Sequence, residues 1–232
     1  MIFYNYSGNQ IFNSESGSAS FGALQGKKLL AIGDSFVKGH TLSEEATWVS
    51  KIARRNGMTQ YVYATNGASL AYASGQSATA LVQTLSTITA QISDADYILV
   101  LIGHNDANPD LNGGTAIPIG ENADTQNTTF KGALNQTIST LLDAYPTAKL
   151  LFLTPFNRRG IEEPYAEAMK EVCGNWCVPC FDNYHSSGIC FQSDAQAGAY
   201  ELSDSLHLNE AGQERISRLY ESILANNLDL SH

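Results

Sequence analysis

The sequence has no apolar run approaching the roughly 18 residues that a membrane-spanning helix needs; its longest, Tyr97 to Ile102, has the length of a strand. The chain is not expected to span a bilayer. Basic residues are scarce as well: 13 Lys and Arg stand against 23 Asp and Glu, for a net charge of −10. A field of that sign repels phosphate backbones and anionic membrane surfaces, which argues against nucleic acid as a partner. Charged residues of both signs occupy only 16% of the 232 positions while apolar residues occupy 43%, so a sizeable core can form and disorder over the whole chain is excluded. The length suits one domain with at most an appendage. The opening residues MIFYNYSGNQ lack a basic stretch followed by an apolar one. No signal peptide is expected from them, which leaves cytoplasmic and secreted or surface-associated locations equally open. Nothing in the sequence specifies an oligomeric state.

Cysteine is confined to one short stretch, Cys173, Cys177, Cys180 and Cys190. The spacing of the first three occurs in some iron–sulfur enzymes. Here, however, Cys173 ends a helical pattern and Cys180 lies in a strand-like run, settings in which a free thiol behaves as a small hydrophobe. Buried or half-buried thiols are expected, with a disulfide or a metal cluster as the alternatives.

Residues 1–26 are rich in Ser, Asn and Gly and read as an arm or linker; residues 27–232 read as the folded domain. From Lys28 onward, short apolar runs alternate with segments of helical period, the pattern of a parallel sheet with crossover helices. The runs Lys28–Ile32, Tyr61–Tyr63, Tyr97–Ile102, Lys149–Leu153 and Val178–Phe181 are too uniformly apolar for a sheet with one wet face, so both faces should be covered. Helices are expected along Leu81, Leu85, Ile88 and Ile92, and along Leu134, Ile138, Leu141, Leu142 and Tyr145. Three more should run from Glu45 to Asn56, from Pro164 to Cys173, and onward from Asn209 as N-cap. The class is therefore α/β, a three-layer sandwich around a parallel sheet. Two long connections, Ala107–Phe130 and Asp182–Asp204, each follow a strand and should wall a crevice at the strands' carboxyl ends.

The chemistry-bearing residues fall at that same edge. Gly33-Asp34-Ser35 follows the first strand and places a hydroxyl where backbone N–H groups can face a reacting carbonyl. Asp204-Ser205-Leu206-His207 puts a carboxylate three residues before an imidazole, so that the carboxylate can hold Nδ1 and leave Nε2 for a hydroxyl. Gly103-His104-Asn105-Asp106 follows the third strand, and Asn66-Gly67 follows the second, where a residue without Cβ lets an N–H approach a ligand. Singly, each piece is an ordinary turn or cap; their joint placement, in the order Ser, Gly, Asn, Asp-x-x-His, is what points to a site.

These four blocks resemble those of the SGNH hydrolases, the GDSL-type esterases, over about Lys28 to Asn226. The resemblance implies a flavodoxin-like five-stranded sheet of order 2-1-3-4-5. It also implies Ser35 as nucleophile, His207 as base and Asp204 as its orienter, with an oxyanion hole of the Ser35 amide, the Gly67 amide and the Asn105 side chain. No metal or cofactor is implied. Asp34, His104 and Asp106 are candidate substrate contacts beside the reacting group. Phe36 stands where the name-giving motif has Leu, and His104 fills the block's variable slot.

Rival readings have weaker support. Ser69, in Gly67-Ala68-Ser69-Leu70-Ala71, is a near miss for the G-x-S-x-G elbow but precedes its partners in the wrong arrangement. A two-metal phosphoesterase would need an Asp-x-His that is absent upstream, and His40, His185 and the terminal His232 read as loop residues rather than ligands. A rival of another class is a non-catalytic glycan-binding or structural module of a larger surface or tail protein; a lysophospholipase or thioesterase is a further one. The polar loops (Asn108, Asp110, Asn112, Asn122, Asp124, Asn127) offer no shelter for a fatty chain. With Tyr63, Tyr184 and Trp176 as candidate stacking rings, they favour a small-molecule or glycan ester, above all an acetyl group on carbohydrate.

Overall fold

The computed structural model describes residues 22–226 and 228, together with a short antiparallel pairing of Phe3–Tyr4 with Gln10–Ile11. Most of the expected arm, residues 1–26, thus lies outside the described residues; of its last part, Leu24 is buried in the core. Five parallel strands form the central sheet: β1 (Lys28–Gly33), β2 (Thr59–Ala64), β3 (Tyr97–Leu101), β4 (Lys149–Leu153) and β5 (Cys180–Phe181). Their spatial order is β2-β1-β3-β4-β5, the flavodoxin-like arrangement that the sequence predicts. Register pairs Leu29 with Tyr97 and Tyr97 with Lys149, so the carboxyl ends of β1, β3 and β4 share one rim.

Successive side chains of a strand point to opposite faces, and both faces here are apolar. Leu30, Ile32, Ile98, Val100, Leu150 and Phe152 pack into one core. That face is covered by α3 (Leu85–Gln91), α4 (Phe130–Ala144) and α5 (Glu163–Asn175). Leu29, Ala31, Leu99, Leu101, Leu151 and Leu153 pack into the other, under α1 (Ser35–Lys38), α2 (Trp48–Asn56) and α8 (Glu210–Ala225). Within it, fully buried Trp48 donates Nε1–H to the Phe36 carbonyl at 3.1 Å and its backbone N–H to Gln213 Oε1 at 2.9 Å, fastening α2 and α8 to the short helix that carries Ser35. Truncating such a ring costs about 3–5 kcal/mol. Two further short helices, α6 (Asn183–Ser186) and α7 (Asp194–Tyr200), subdivide the second long connection.

Four expectations differ from what is observed. β2 is not covered on both faces: it is the sheet's edge, and Val62 is 39% exposed. The Leu81–Ile92 stripe is a 3₁₀ turn (Leu81–Gln83) followed by α3, and Glu45–Asn56 breaks at Thr47, whose side-chain oxygen accepts from Ser50 N–H and starts α2. α5 runs past Gly174 to Asn175. Asn209 caps α8 as expected, its Oδ1 accepting from Gly212 N–H at 3.0 Å. All four cysteines are free thiols, Cys173 buried, Cys180 half-buried, Cys177 and Cys190 exposed. The adjacent Cys173 thiol, together with burial, raises the Cys180 thiol above its ordinary pKa. Among the described residues, no helix is long and apolar enough to cross a membrane.

Candidate active site

β1 must stop at a residue without Cβ, because a Cβ on Gly33 would collide with the carbonyl oxygen of Leu101 on β3 and with Val37. The next residue, Asp34, caps α1 by accepting Phe36 N–H at 2.9 Å, which turns the chain sharply and puts Ser35 first in the helix. An N–H at that position lies ahead of the helix's own ladder and is free to face a ligand. Gly39 ends α1 in a left-handed conformation (φ 84°).

The base arrives from the opposite end of the chain. Asp204 Oδ1 accepts the N–H groups of both Leu206 and His207 at 2.9 Å, folding the segment into one turn, and its Oδ2 lies 2.7 Å from His207 Nδ1. His207 Nε2 lies 2.7 Å from Ser35 Oγ. Since the carboxylate can only accept, the imidazole proton sits on Nδ1 and the Nε2 lone pair faces the serine hydroxyl. Ser205, inside the turn, takes a left-handed φ of 54°. Arg158 secures the turn: its guanidinium donates to Ser205 O at 3.0 Å, bonds Glu201 at 2.7 Å and lies 3.8 Å above the Phe191 ring.

Electrostatics follow from these contacts. Burial depresses the His207 pKa below its ordinary value, Asp204 pulls it back up, and the charge of nearby His40 depresses it again; the net shift is downward. Partial burial would raise Asp204, but the backbone and ring N–H groups of His207 and the Leu206 N–H outweigh it and bring its pKa down to about 2. The pair is therefore an ionised carboxylate beside a neutral imidazole above about pH 6.5.

The Gly67 and Asn105 loops, which follow β2 and β3, are joined through Ala68. Gly67 has φ 79°, a conformation that other residues adopt only with strain. Asn105 Nδ2 donates one hydrogen to Ala68 O at 2.8 Å; a side-chain amide has a second hydrogen to offer. Asp106 fastens the two loops together, accepting Leu70 N–H at 2.8 Å and Ala71 N–H at 3.0 Å. Full burial raises its carboxyl pKa against these two donors, Asp34 adds to the rise, and the result is about 7.

The three residues expected to touch substrate lie beneath the rim instead. Asp34, His104 and Asp106 are 0, 2 and 0% exposed. His104 Nδ1 is 3.0 Å from Asp34 Oδ2, and its Nε2 accepts Phe156 N–H at 2.9 Å, so both nitrogens are spent on the protein. Ser69 is buried, with Oγ donating to Ala71 O at 2.7 Å. Trp176 is on the surface with Nε1–H bound to Asn135, and Tyr63 packs against the core. Sequence reasoning did not single out Arg158 and treated His40 as a loop residue; its ring lies against His207.

Among the described residues, two trios bring metal-ligating atoms within 4.8 Å, but neither suits a cation. In His40, Asp204 and His207 the rings are parallel, so their lone pairs do not converge. In Glu167, Asp182 and His185 the Lys170 ammonium already bonds both carboxylates.

Likeness to known proteins agrees with this geometry. The profile of the GDSL-like Lipase/Acylhydrolase family matches residues 31–215. A crystal structure of a Lactobacillus plantarum protein shares 25% identity with a TM-score of 0.74, covering 87% of this chain and 98% of that one. Two Sinorhizobium meliloti structures share the fold. One, a carbohydrate acetylesterase, has 14% identity and a TM-score of 0.63, with 87% and 99% coverage. The other, a carbohydrate acetylesterase family member, has 18% identity and a TM-score of 0.59, with 87% and 99% coverage. No curated protein matches the chain. The profile match, which takes in Ser35 and His207 alike, assigns the chain to the GDSL-like lipase/acylhydrolase family.

Proposed function

We propose that the chain is a serine esterase that removes short acyl groups from esters, with O-acetyl groups on carbohydrate as the substrate class. The observation that carries this reading is the unbroken relay from Asp204 Oδ2 through His207 to Ser35 Oγ, 2.7 Å at each step. In the proposed reaction Ser35 Oγ attacks the ester carbonyl while its proton passes to His207 Nε2. Asp204 holds the imidazolium that forms. The carbonyl oxygen becomes an oxyanion facing the Ser35 and Gly67 N–H groups and the free hydrogen of Asn105 Nδ2. Collapse of this intermediate expels the alkoxide, which takes the proton from His207 and leaves as the alcohol. Water then gives its proton to His207 and attacks the acyl-serine, and the acid departs as Ser35 recovers its proton.

The acetyl preference draws on two facts, the polar loops after the strands and the fold shared with the two carbohydrate acetylesterase structures. Asp34, His104 and Asp106 take supporting roles, holding the nucleophile turn and the oxyanion loops in register.

Initial rates on p-nitrophenyl acetate, butyrate and octanoate, followed by acetate release from acetylated xylan, test the reading. Acetate should be cleaved fastest; a preference for octanoate would move the substrate class toward lipids. A serine-directed phosphonate should label Ser35, whereas no labelling of folded protein would leave a non-catalytic glycan-binding module.

A further inference from the structure

The relay leaves one neighbouring side chain unused. His40, the residue after Gly39, lays its ring flat on that of His207, with centroids 3.8 Å apart and planes within 3°. Its Nε2 is 3.5 Å from Asp204 Oδ2, the oxygen that also holds His207 Nδ1. Phe36 also lies near the His207 ring, 5.2 Å away and tilted by 37°, and stacks in turn on His104 at 4.0 Å. His207 is thus in contact with a phenyl ring fixed in the core and an imidazole at the rim.

Keeping His40 there is costly. Its φ is 55°, a left-handed backbone that non-glycine residues rarely adopt. The conformation is held because its N–H and that of Gly39 converge on Ser35 O, at 3.0 and 2.9 Å. His40 Nδ1 is shielded from solvent with no hydrogen-bond partner. Strain and an unpaired polar atom cluster where a structure over-determines a functional geometry.

We propose that His40 is a positioning residue for His207: its uncharged ring fixes the plane of the base and stabilises, face to face, the imidazolium formed when Ser35 gives up its proton. A cation is attracted to the face of a neutral aromatic ring. A protonated His40 does the reverse, setting a second positive charge against the imidazolium and competing for Asp204. The charged and titratable groups around His40 are Asp204 and His207, while Asp34 acts on His207 from below. This inference rests on the esterase reading.

The test is kcat and KM on p-nitrophenyl acetate, at one pH, for the full chain and its His40→Asn, His40→Phe and Ser35→Ala variants. Thermal melts check that each is folded. Asn tolerates the left-handed backbone but has no ring; it should lower kcat about tenfold, with KM within twofold. Phe restores a ring without a titrating group and should recover kcat to within about threefold. Wild-type kcat in both variants, with Ser35→Ala inactive, would overturn the role of His40 and leave the esterase intact. Full activity in Ser35→Ala would instead overturn the esterase reading. Should the Asn variant fail to fold, His40→Gly, which also suits the left-handed backbone and lacks a ring, takes its place.

Discussion

Two Asp–His pairs sit one above the other in this molecule, and they do different work. At the rim, Asp204 holds His207 Nδ1 at 2.7 Å; in the floor, Asp34 holds His104 Nδ1 at 3.0 Å. The donor chemistry is the same, and Phe36 lies against both rings. They differ at the second nitrogen. His207 Nε2 faces the Ser35 hydroxyl, which has a proton to give, whereas His104 Nε2 accepts a backbone N–H from Phe156, which does not. A third pair, Asp182 with His185, has its imidazole half in solvent and faces no reacting group. A carboxylate beside an imidazole is therefore no sign of a base by itself; the partner at the far nitrogen decides.

The most severe way to probe the rim is Ser35→Ala, for which turnover should fall on the order of 10⁶-fold while the melting temperature stays within a few degrees. Retained cleavage would dissolve the comparison outright. Asp204→Asn should lower kcat by about 10⁴-fold with little loss of stability, since the turn keeps an acceptor but the imidazole loses its tautomer. Asp34→Asn should invert that pattern. It weakens the buried hydrogen bond to His104 Nδ1–H, so stability should drop by about 1–3 kcal/mol in denaturant titrations, with kcat of the folded fraction changed far less. Loss of kcat in Asp34→Asn without loss of stability would erase the distinction between rim and floor.

Asn105→Ala removes one oxyanion donor and should cost about 10²–10³-fold in kcat, leaving measurable activity. The smallest effect concerns the buried Asp106. Its folded pKa of about 7 lies above the unfolded value of 3.8, so the stability linked to its proton is complete below about pH 4 and is lost as pH rises through about 7. Asp106→Asn should flatten that part of the stability–pH curve. A wild-type curve of unchanged shape in the variant would show that Asp106 does not titrate there.

How much could be read from the residues alone varies by element. β1, β3 and β4 are legible because strands buried on both faces need apolar residues at every position. β2 misleads: Thr59–Ala64 carries Tyr and Val in strand-like order, yet it occupies the edge, where Val62 is exposed and Tyr61 and Tyr63 are only partly buried. The 81–92 stripe has helical spacing, but spacing records which side is buried, and a 3₁₀ turn followed by a short helix buries the same side chains. The four blocks of the site were legible because each ends a strand or starts a helix. His40 was not: its only local mark is a position after Gly39, and its importance comes from a ring that arrives from residue 207.

Periodicity, composition and four short blocks settle the layered architecture and single out the candidate hydroxyl and imidazole, because burial and turn chemistry are local demands written residue by residue. Which carboxylate–imidazole pair reaches that hydroxyl, which is sealed in the floor, and which ring lies on the base depend on contacts between segments far apart in the chain. Only packing the helices onto the sheet brings those segments together.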